Sequence, residues 1–456
     1  MTKIIVTALL ISLTFIFKIH AAEAAGIFSD NMILQRNMPV PVWGKGKAGE
    51  NIVVSFQKQK LQTKVDSDGR WMVKLKPLEA SFDPSVLKVN SQEFKNVLIG
   101  EVWLASGQSN MAGSKKFDNF SDNKLIIRAS QITKKIEASE LLENGWSTSG
   151  SCSEVAYHFG CEIAKQVNVP VGLIVRAVSG SPIQTWIPKE IIEPYRKKSG
   201  IAENWNDDAP MHNSGDHFPS HLEPVIPYAI RGSIWYQGER NSKTGTHWHY
   251  REMQPLMIDT WRVLWAKKAN EDIREFPFIT VQVPCAGGSK YLSSWDIIRD
   301  SMRRVAVEDP NAGLAVFYDN SRVLHPQNKH IASFRLAQWA LKHVYGKEDA
   351  IPCPLLTQHD IKDKKIILHF DYAGKGLKIG GESKKLDFFE ICGEDGKYHP
   401  AIAVIEKNTV ILSSDQVSKP THARYLFGRS DAAVSLYNSA DLPASSFITD
   451  PEFTGK

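Results

Sequence analysis

Hydrophobic and polar positions alternate over residues 26–96, with frequent Gly and Asn breaks. A period of two is typical of short strands that bury one face of a sheet. The runs with this pattern are residues 39–43, 51–56 and 71–75. We therefore predict a β-sandwich-like module over residues 26–96.

The pattern changes near residue 97, where apolar runs begin to alternate with stretches of helical periodicity. Residues 154–167 place apolar side chains three and four positions apart, and residues 170–175 follow as an uninterrupted apolar run. Strands that alternate with helices predict βαβ units and a parallel sheet. Further predicted strands are residues 231–236, 278–283 and 313–318, and a further predicted helix is residues 326–345. We predict an α/β core over residues 97–350.

Beyond residue 350 the helical periodicity is lost and short strand patterns return. The candidate strands are residues 365–370, 388–391 and 409–412. The sequence thus predicts a second β-sandwich-like module over residues 351–456.

The first residues have the features of a secretory signal peptide. Lys3 precedes an apolar stretch over residues 4–17, and small residues follow at positions 21–25. We assign residues 1–25 to this signal and expect a secreted or periplasmic protein with no membrane span after its removal. The net charge of +5 comes from Lys and Arg scattered along the 456 residues, so we expect no nucleic-acid partner.

Five cysteines stand at positions 152, 161, 285, 353 and 392. An odd number leaves at least one thiol outside any intramolecular disulfide bond. Their spacing does not match a structural zinc site. Cys152 and Cys161 are candidates for a disulfide bond or for a pair of buried thiols, and the sequence leaves both open.

A candidate nucleophile lies where an apolar run ends in Gly107-Gln108-Ser109-Asn110. In open α/β folds, ligands bind beyond the carboxyl ends of the strands, so a hydroxyl in such a turn is well placed for chemistry. Gly, Ser and Asn are also what any tight turn selects, which is the purely structural interpretation of Ser109.

A glycine-rich turn, an amide side chain and a histidine follow the neighbouring predicted strands. Gly180, Gln237 and His325 each lie in such a position. In a parallel sheet these ends share one edge, so the residues should converge with Ser109. We assign Ser109 as nucleophile, His325 as its base, and the N–H groups of Ser109 and Gly180 with the amide of Gln237 as an oxyanion hole.

Two long stretches, residues 100–111 and 226–241, resemble the sialate O-acetylesterase family of SGNH-type serine esterases. Weaker similarity extends over residues 169–174, 325–329 and 436–445. The resemblance implies a three-layer α/β/α flavodoxin-like core with Ser109 and His325 as catalytic residues. It further implies removal of acetyl groups from sugar hydroxyls without a metal or an organic cofactor, with an acetylated glycan as the substrate.

Several residues depart from the family pattern. Val323 stands where the family has an aspartate before its histidine. We name Asp319 or a backbone carbonyl as substitutes that would orient His325, and Glu239 as a support for the site. Ser179 replaces a family glycine and would narrow the pocket.

The segment over residues 217–223 also differs from the family pattern, and its His217 and His221 have metal-ligand spacing if the segment is helical. Because Pro219 argues against a helix, we expect solvated loop histidines and no metal site.

Three functions are compatible with these residues. The first is a secreted esterase that removes acetyl groups from a glycan, most simply an O-acetylated sialic acid, with hemicellulose or another acetylated polysaccharide as an alternative substrate. The second is a glycan-binding protein that has lost useful catalysis because the acid is missing at Val323. The third is an adhesion protein in which the core only supports the two β-modules.

Overall fold

The computed structural model describes residues 22–121, 125–134, 145–201, 213–243, 245–272, 275–284, 292–320, 323–428, 433–451 and 453. Most of the predicted signal peptide and Cys285 therefore lie outside the described residues. None of the described helices is long and apolar enough to cross a membrane.

The N-terminal region is rich in β-structure, as its alternating pattern predicts. Its strands are β1 Glu23–Ala24, β2 Ile33–Gln35, β3 Val40–Lys45, β4 Asn51–Phe56, β5 Gln59–Lys64, β6 Arg70–Leu75, β7 Ser81–Val89 and β8 Gln92–Gly107. Strand β4 buries Ile52, Val54 and Phe56 on one face, which is why its sequence alternates. Strand β1 pairs with β3, so the predicted signal boundary after residue 25 would remove a strand of this region.

Strand β8 runs without interruption from the N-terminal region into the core. Its first half pairs antiparallel with β7, and its second half pairs parallel with core strands. The sequence pattern changes at residue 97 because the second half is covered on both faces, not because a strand ends there. The predicted boundary between residues 96 and 97 thus lies inside one strand.

The core is a mixed α/β structure around parallel strands. Its elements after β8 are α1 Ser109–Ala112, β9 Ser114–Phe117, β10 Ile127–Ile132, β11 Gly150–Ser153, α2 Glu154–Val167, β12 Val171–Ala177, α3 Lys189–Lys198, β13 Gly232–Tyr236, α4 Glu239–Lys243, α5 Tyr250–Ala269, β14 Phe278–Gln282, α6 Leu292–Glu308, β15 Ala312–Val316 and α7 Lys329–His343. Short helical turns lie at Ile183–Trp186, Phe218–Leu222, Glu223–Val225 and His247–His249. Helix α2 confirms the prediction for residues 154–167.

The parallel strands lie in the order β10, β12, β8, β13, β14, β15 within the described residues. Helix α2 packs with α7, and α5 packs with α6. The sheet strands are buried along their whole length, as parallel strands covered by helices require. Because β8 lies in the middle of this order, its carboxyl end opens at the centre of one sheet edge.

A buried carboxylate joins the N-terminal region to the core. Glu101 on β8 is fully buried and accepts hydrogen bonds from Arg36 at 2.5 Å and from Arg231 at 2.7 Å. The side chain of Gln35 on β2 adds a third at 3.1 Å. Two guanidinium partners compensate the desolvation of one carboxylate, so these elements are held in register where β8 enters the core.

The C-terminal region is again rich in β-structure. Its strands are β16 Leu355–Lys362, β17 Lys365–Asp371, β18 Leu377–Ile379, β19 Phe389–Cys392, β20 His399–Pro400, β21 Ile402–Glu406, β22 Thr409–Ser413, β23 His422–Tyr425, β24 Leu436–Asn438 and β25 Phe447–Ile448. Ser445 accepts a hydrogen bond from Gln282 on β14, and Ser446 accepts one from Arg299 on α6. The last strands therefore pack directly against the core.

Candidate active site

The turn after β8 is shaped by a close approach to the neighbouring strand. Gly107 has φ of +139°, and a Cβ atom at this position would lie 2.1 Å from the carbonyl oxygen of Tyr236. That carbonyl accepts the N–H of Gln108 at 3.0 Å. Only glycine adopts this backbone conformation without strain, so the sequence requires Gly107 immediately before the predicted nucleophile turn.

Ser109 and His325 are brought into direct contact. Ser109 is the first residue of α1, and its Oγ lies 2.9 Å from Nε2 of His325. The histidine is in the segment between β15 and α7, and its side chain is exposed while Ser109 is partly buried. A hydroxyl within hydrogen-bond distance of an imidazole is the arrangement in which the ring can remove the hydroxyl proton.

Two backbone N–H groups near Ser109 are available to a ligand. Among the described residues, neither the N–H of Ser109 nor that of Gly180 has an acceptor. The turn that carries Gly180 follows β12, and Val178 in this turn donates to the carbonyl of Gly107 at 3.1 Å. The two turns are thus tied together at the same sheet edge. Ser179 is exposed, so its side chain projects to solvent.

The side-chain amide of Gln237 is hydrogen-bonded within the protein. Its side chain is fully buried, and its Nε2 contacts Gln108 Oε1 at 3.1 Å, the carbonyl of Ser181 at 3.2 Å and Asn241 Oδ1 at 2.7 Å. A primary amide has two N–H donors, which these acceptors already occupy. In this structure Gln237 therefore ties the turns behind Ser109 together, and its role in an oxyanion hole stays a prediction.

Asp319 forms an ion pair with a residue of α7. Both of its carboxylate oxygens accept hydrogen bonds from Arg335, at 2.5 and 2.8 Å. Asp319 is thus the ion-pair partner of Arg335, and its role in orienting His325 stays a prediction. Val323, where the family has its acid, is 57% exposed.

Glu239 contacts Asn110, a residue that the sequence reasoning missed. Its Oε1 accepts a hydrogen bond of 2.6 Å from Nδ2 of Asn110, and this same nitrogen donates to the carbonyl of Leu324 at 2.9 Å. Asn110 lies within the Gly-Gln-Ser-Asn stretch, directly after Ser109. Its position in that stretch was the available signal, although the partners could only be found in three dimensions.

The two histidines with metal-ligand spacing are buried, which corrects the expectation of a solvated loop. Residues Phe218–Leu222 form one helical turn, since proline is tolerated at the start of a helix. His217 and His221 pack against Trp186, and burial lowers the pKa of His221 to about 4. No group of three or more His, Cys, Asp or Glu side chains in the described part of the chain could hold a metal ion.

The described cysteines form no disulfide bond with one another. Burial raises the pKa of Cys152 to about 12 and that of Cys353 to about 11. A thiol with so high a pKa is a poor nucleophile.

Curated proteins similar to this chain are sialate O-acetylesterases. The chain is 24% identical over 455 residues to sialate O-acetylesterase from Homo sapiens, covering 86% of this chain and 83% of that protein. It is 23% identical over 476 residues to sialate O-acetylesterase from Rattus norvegicus, covering 85% and 86% of the two chains.

A solved structure is similar over almost the whole chain. The carbohydrate acetylesterase from Xanthomonas citri superposes with a TM-score of 0.78 at 27% sequence identity, covering 94% of this chain and all of that one. The profile of the family described as carbohydrate esterase, sialic acid-specific acetylesterase, matches residues 99–331, slightly more than half of the chain. This protein therefore belongs to the sialic acid-specific acetylesterase family of carbohydrate esterases and is an ester hydrolase.

Proposed function

We propose that this protein is a serine esterase that removes acetyl groups from the hydroxyls of a glycan. The observation that carries the proposal is the contact of 2.9 Å between Ser109 Oγ and His325 Nε2 at the carboxyl end of the central strand. Family membership supports acetyl removal from carbohydrates, and the geometry supports the serine mechanism.

In the first step, the Ser109 oxygen attacks the carbonyl carbon of the acetyl ester while His325 Nε2 takes the hydroxyl proton. The carbonyl oxygen becomes an oxyanion, which the N–H groups of Ser109 and Gly180 stabilise. When the tetrahedral intermediate collapses, the bond to the sugar oxygen breaks. The imidazolium of His325 then protonates that oxygen, which releases the free sugar hydroxyl and leaves acetyl-Ser109.

In the second step, a water molecule attacks acetyl-Ser109, and His325 takes a proton from it. The second tetrahedral intermediate collapses with release of acetate, and the imidazolium returns its proton to the Ser109 oxygen. Each half-reaction uses the same base and the same donors, so no metal or organic cofactor is required.

We infer that the substrate is an O-acetylated sialic acid, on the strength of the curated relatives, with acetylated hemicellulose as the alternative. We further infer a three-layer α/β/α core of the SGNH type, supported by the two helix pairs α2–α7 and α5–α6 around the parallel strands. Export through the N-terminal signal completes the proposal and would place the enzyme where extracellular glycans are found.

The test is release of acetate by the purified protein from O-acetylated sialic acid and from acetylated xylan, compared with Ser109→Ala. Release from either glycan that Ser109→Ala abolishes supports the mechanism, and the preferred glycan identifies the substrate. Hydrolysis that persists in Ser109→Ala would exclude Ser109 as the nucleophile.

A glycan-binding protein with impaired catalysis is the second candidate. The observations that favour it are the exposed Val323 in place of the family acid and the ion pair that holds Asp319 on Arg335. In serine hydrolases, loss of the acid that orients the histidine lowers turnover by about 10⁴. Binding of an acetylated glycan without any acetate release would favour this function.

A further inference from the structure

The nucleophile and its base are linked by a second connection besides their direct contact. Asn110 follows Ser109, and Leu324 precedes His325. The side chain of Asn110 donates to the carbonyl of Leu324 at 2.9 Å, so the two segments are joined one residue away from the reacting atoms.

The buried carboxylate of Glu239 fixes the orientation of the Asn110 side-chain amide. Asn110 Nδ2 carries two N–H groups in one plane, and the first is held by Glu239 Oε1 at 2.6 Å. Both acceptors, a carboxylate and a carbonyl, can only receive a hydrogen, so the amide orientation follows from its partners. With one N–H on Glu239, the other is directed at Leu324.

Burial makes this link rigid. Asn110 is fully buried and Glu239 is 1% exposed, so water does not compete for the hydrogen bond between them. Hydrogen bonds to an ionised acceptor are shorter and stronger than neutral ones. Lys329, at the start of α7, interacts electrostatically with Glu239 and so helps to compensate the buried charge.

The segment that carries His325 has a particular need for such a link. Val323 and His325 are both exposed, and the acid that the family places before its histidine is absent. The carbonyl of Leu324 is therefore a point at which buried protein structure holds this exposed segment.

We propose that Glu239 and Asn110 form a positioning pair, in which the carboxylate orients the Asn110 amide so that its second N–H holds the Leu324 carbonyl and thereby keeps His325 on Ser109. The proposal rests on the Ser109–His325 mechanism proposed above. The pair is buried, whereas His325 is exposed. It acts through the position of the imidazole.

Two conservative variants separate this role from a direct effect of the charge. Glu239→Gln removes the charge and keeps an acceptor oxygen at the same reach, so the link to Asn110 survives. Glu239→Asp keeps the charge and withdraws the acceptor by one methylene, so the link is broken. A positioning role therefore requires the glutamine variant to be active and the aspartate variant to be slow.

The experiment measures kcat and KM for p-nitrophenyl acetate, the rate of labelling of Ser109 by a fluorophosphonate, and the thermal unfolding of each variant. We expect Glu239→Asp and Asn110→Ala to lower kcat and the labelling rate about 10²-fold, since a displacement near 1 Å costs about that factor. KM should change little, Glu239→Gln should stay close to the parent, and Glu239→Asp with Asn110→Ala should be no slower than either alone.

Ser242→Ala is the matched control. Ser242 is buried in the same helix and donates to the backbone carbonyl of Glu239 at 2.8 Å, but it does not contact Asn110. Its kcat should equal that of the parent. This control shows whether loosening of α4 by itself slows the reaction.

Three results would overturn the positioning pair. Glu239→Gln could be as slow as Glu239→Asp, or Glu239→Asp could have the parental kcat. In the third, the fold-losses in kcat of the two single variants multiply in the double variant. Failure of the proposed function gives a different result, because the parent protein itself would then neither hydrolyse the ester nor be labelled at Ser109.

Discussion

The substitution Gly107→Ala tests whether the close contact between the backbone of Gly107 and that of Tyr236 positions Ser109 for the proposed reaction. The new Cβ would lie 2.1 Å from the carbonyl oxygen of Tyr236, whereas ordinary contact begins near 3.4 Å. Strands β8 and β13 must therefore separate by about 1.3 Å at this point. That movement breaks the hydrogen bond from Gln108 to Tyr236 and displaces the turn that carries Ser109.

The same substitution also strains the backbone, because φ is +139° at Gly107. Gly376 provides a matched control, since its φ is +136° and an added Cβ would come no closer than 3.5 Å to a neighbouring atom. Both alanine variants should lose about 1–3 kcal/mol of stability from strain. Only Gly107→Ala carries the additional displacement next to the nucleophile.

We expect kcat/KM for p-nitrophenyl acetate to fall about 10²-fold in Gly107→Ala, since a misplacement near 1 Å costs about this factor. Gly376→Ala should keep the parental kcat/KM at a temperature where both variants are folded, as monitored by circular dichroism. If Gly107→Ala is as active as Gly376→Ala, the close approach does not position Ser109 and the reasoning is refuted.

Three further predictions follow from buried groups. Asp319→Asn should lower the free energy of unfolding, measured in urea, by about 3 kcal/mol, because Arg335 is left buried without its carboxylate. The variant should retain the parental kcat. A large loss of kcat would instead indicate that Asp319 takes part in catalysis. Burial lowers the pKa of His221 from 6.5 to about 4, so the unfolded chain binds more protons between these values. Stability should therefore fall by about 3 kcal/mol as the pH drops from 6.5 to 4, and His221→Gln should show a shallower fall, whereas an equal slope would contradict this origin. Because burial raises the pKa of Cys152 to about 12, this thiol should react with a disulfide reagent at pH 8 only after denaturation. Peptide mapping identifies the modified cysteine, and modification of Cys152 in the folded protein would contradict the prediction.

The core elements could be predicted because their sequence patterns are strong and local. Helix α2 has apolar residues at helical spacing over its whole length, and β13 and β14 are uninterrupted apolar runs. The meeting of Ser109 with His325 followed from a topological rule, since parallel strands present their carboxyl ends at one edge.

The sequence could not show which neighbours engage these polar side chains in three dimensions. Gln237 has the donors that an oxyanion hole needs, but its burial against Asn241 and Gln108 depends on how the turns pack. Asp319 lies near His325 in sequence, but its carboxylate is paired with Arg335 from α7. A sequence pattern shows which polar groups are present, but it does not show which neighbours form hydrogen bonds with them.

The continuity of β8 makes the N-terminal region and the nucleophile parts of one folding unit. A protein shortened to begin at residue 97 would retain the half of β8 that leads to Ser109 and lose β7 and β2, its partners along the other half. Glu101 would then keep Arg231 and lose Arg36 and Gln35. The N-terminal strands are thus not an appendage that can be exchanged between esterases without consequence. They form part of the structural support of the proposed catalytic serine, and an insertion or a substitution in them acts directly on the strand that holds it.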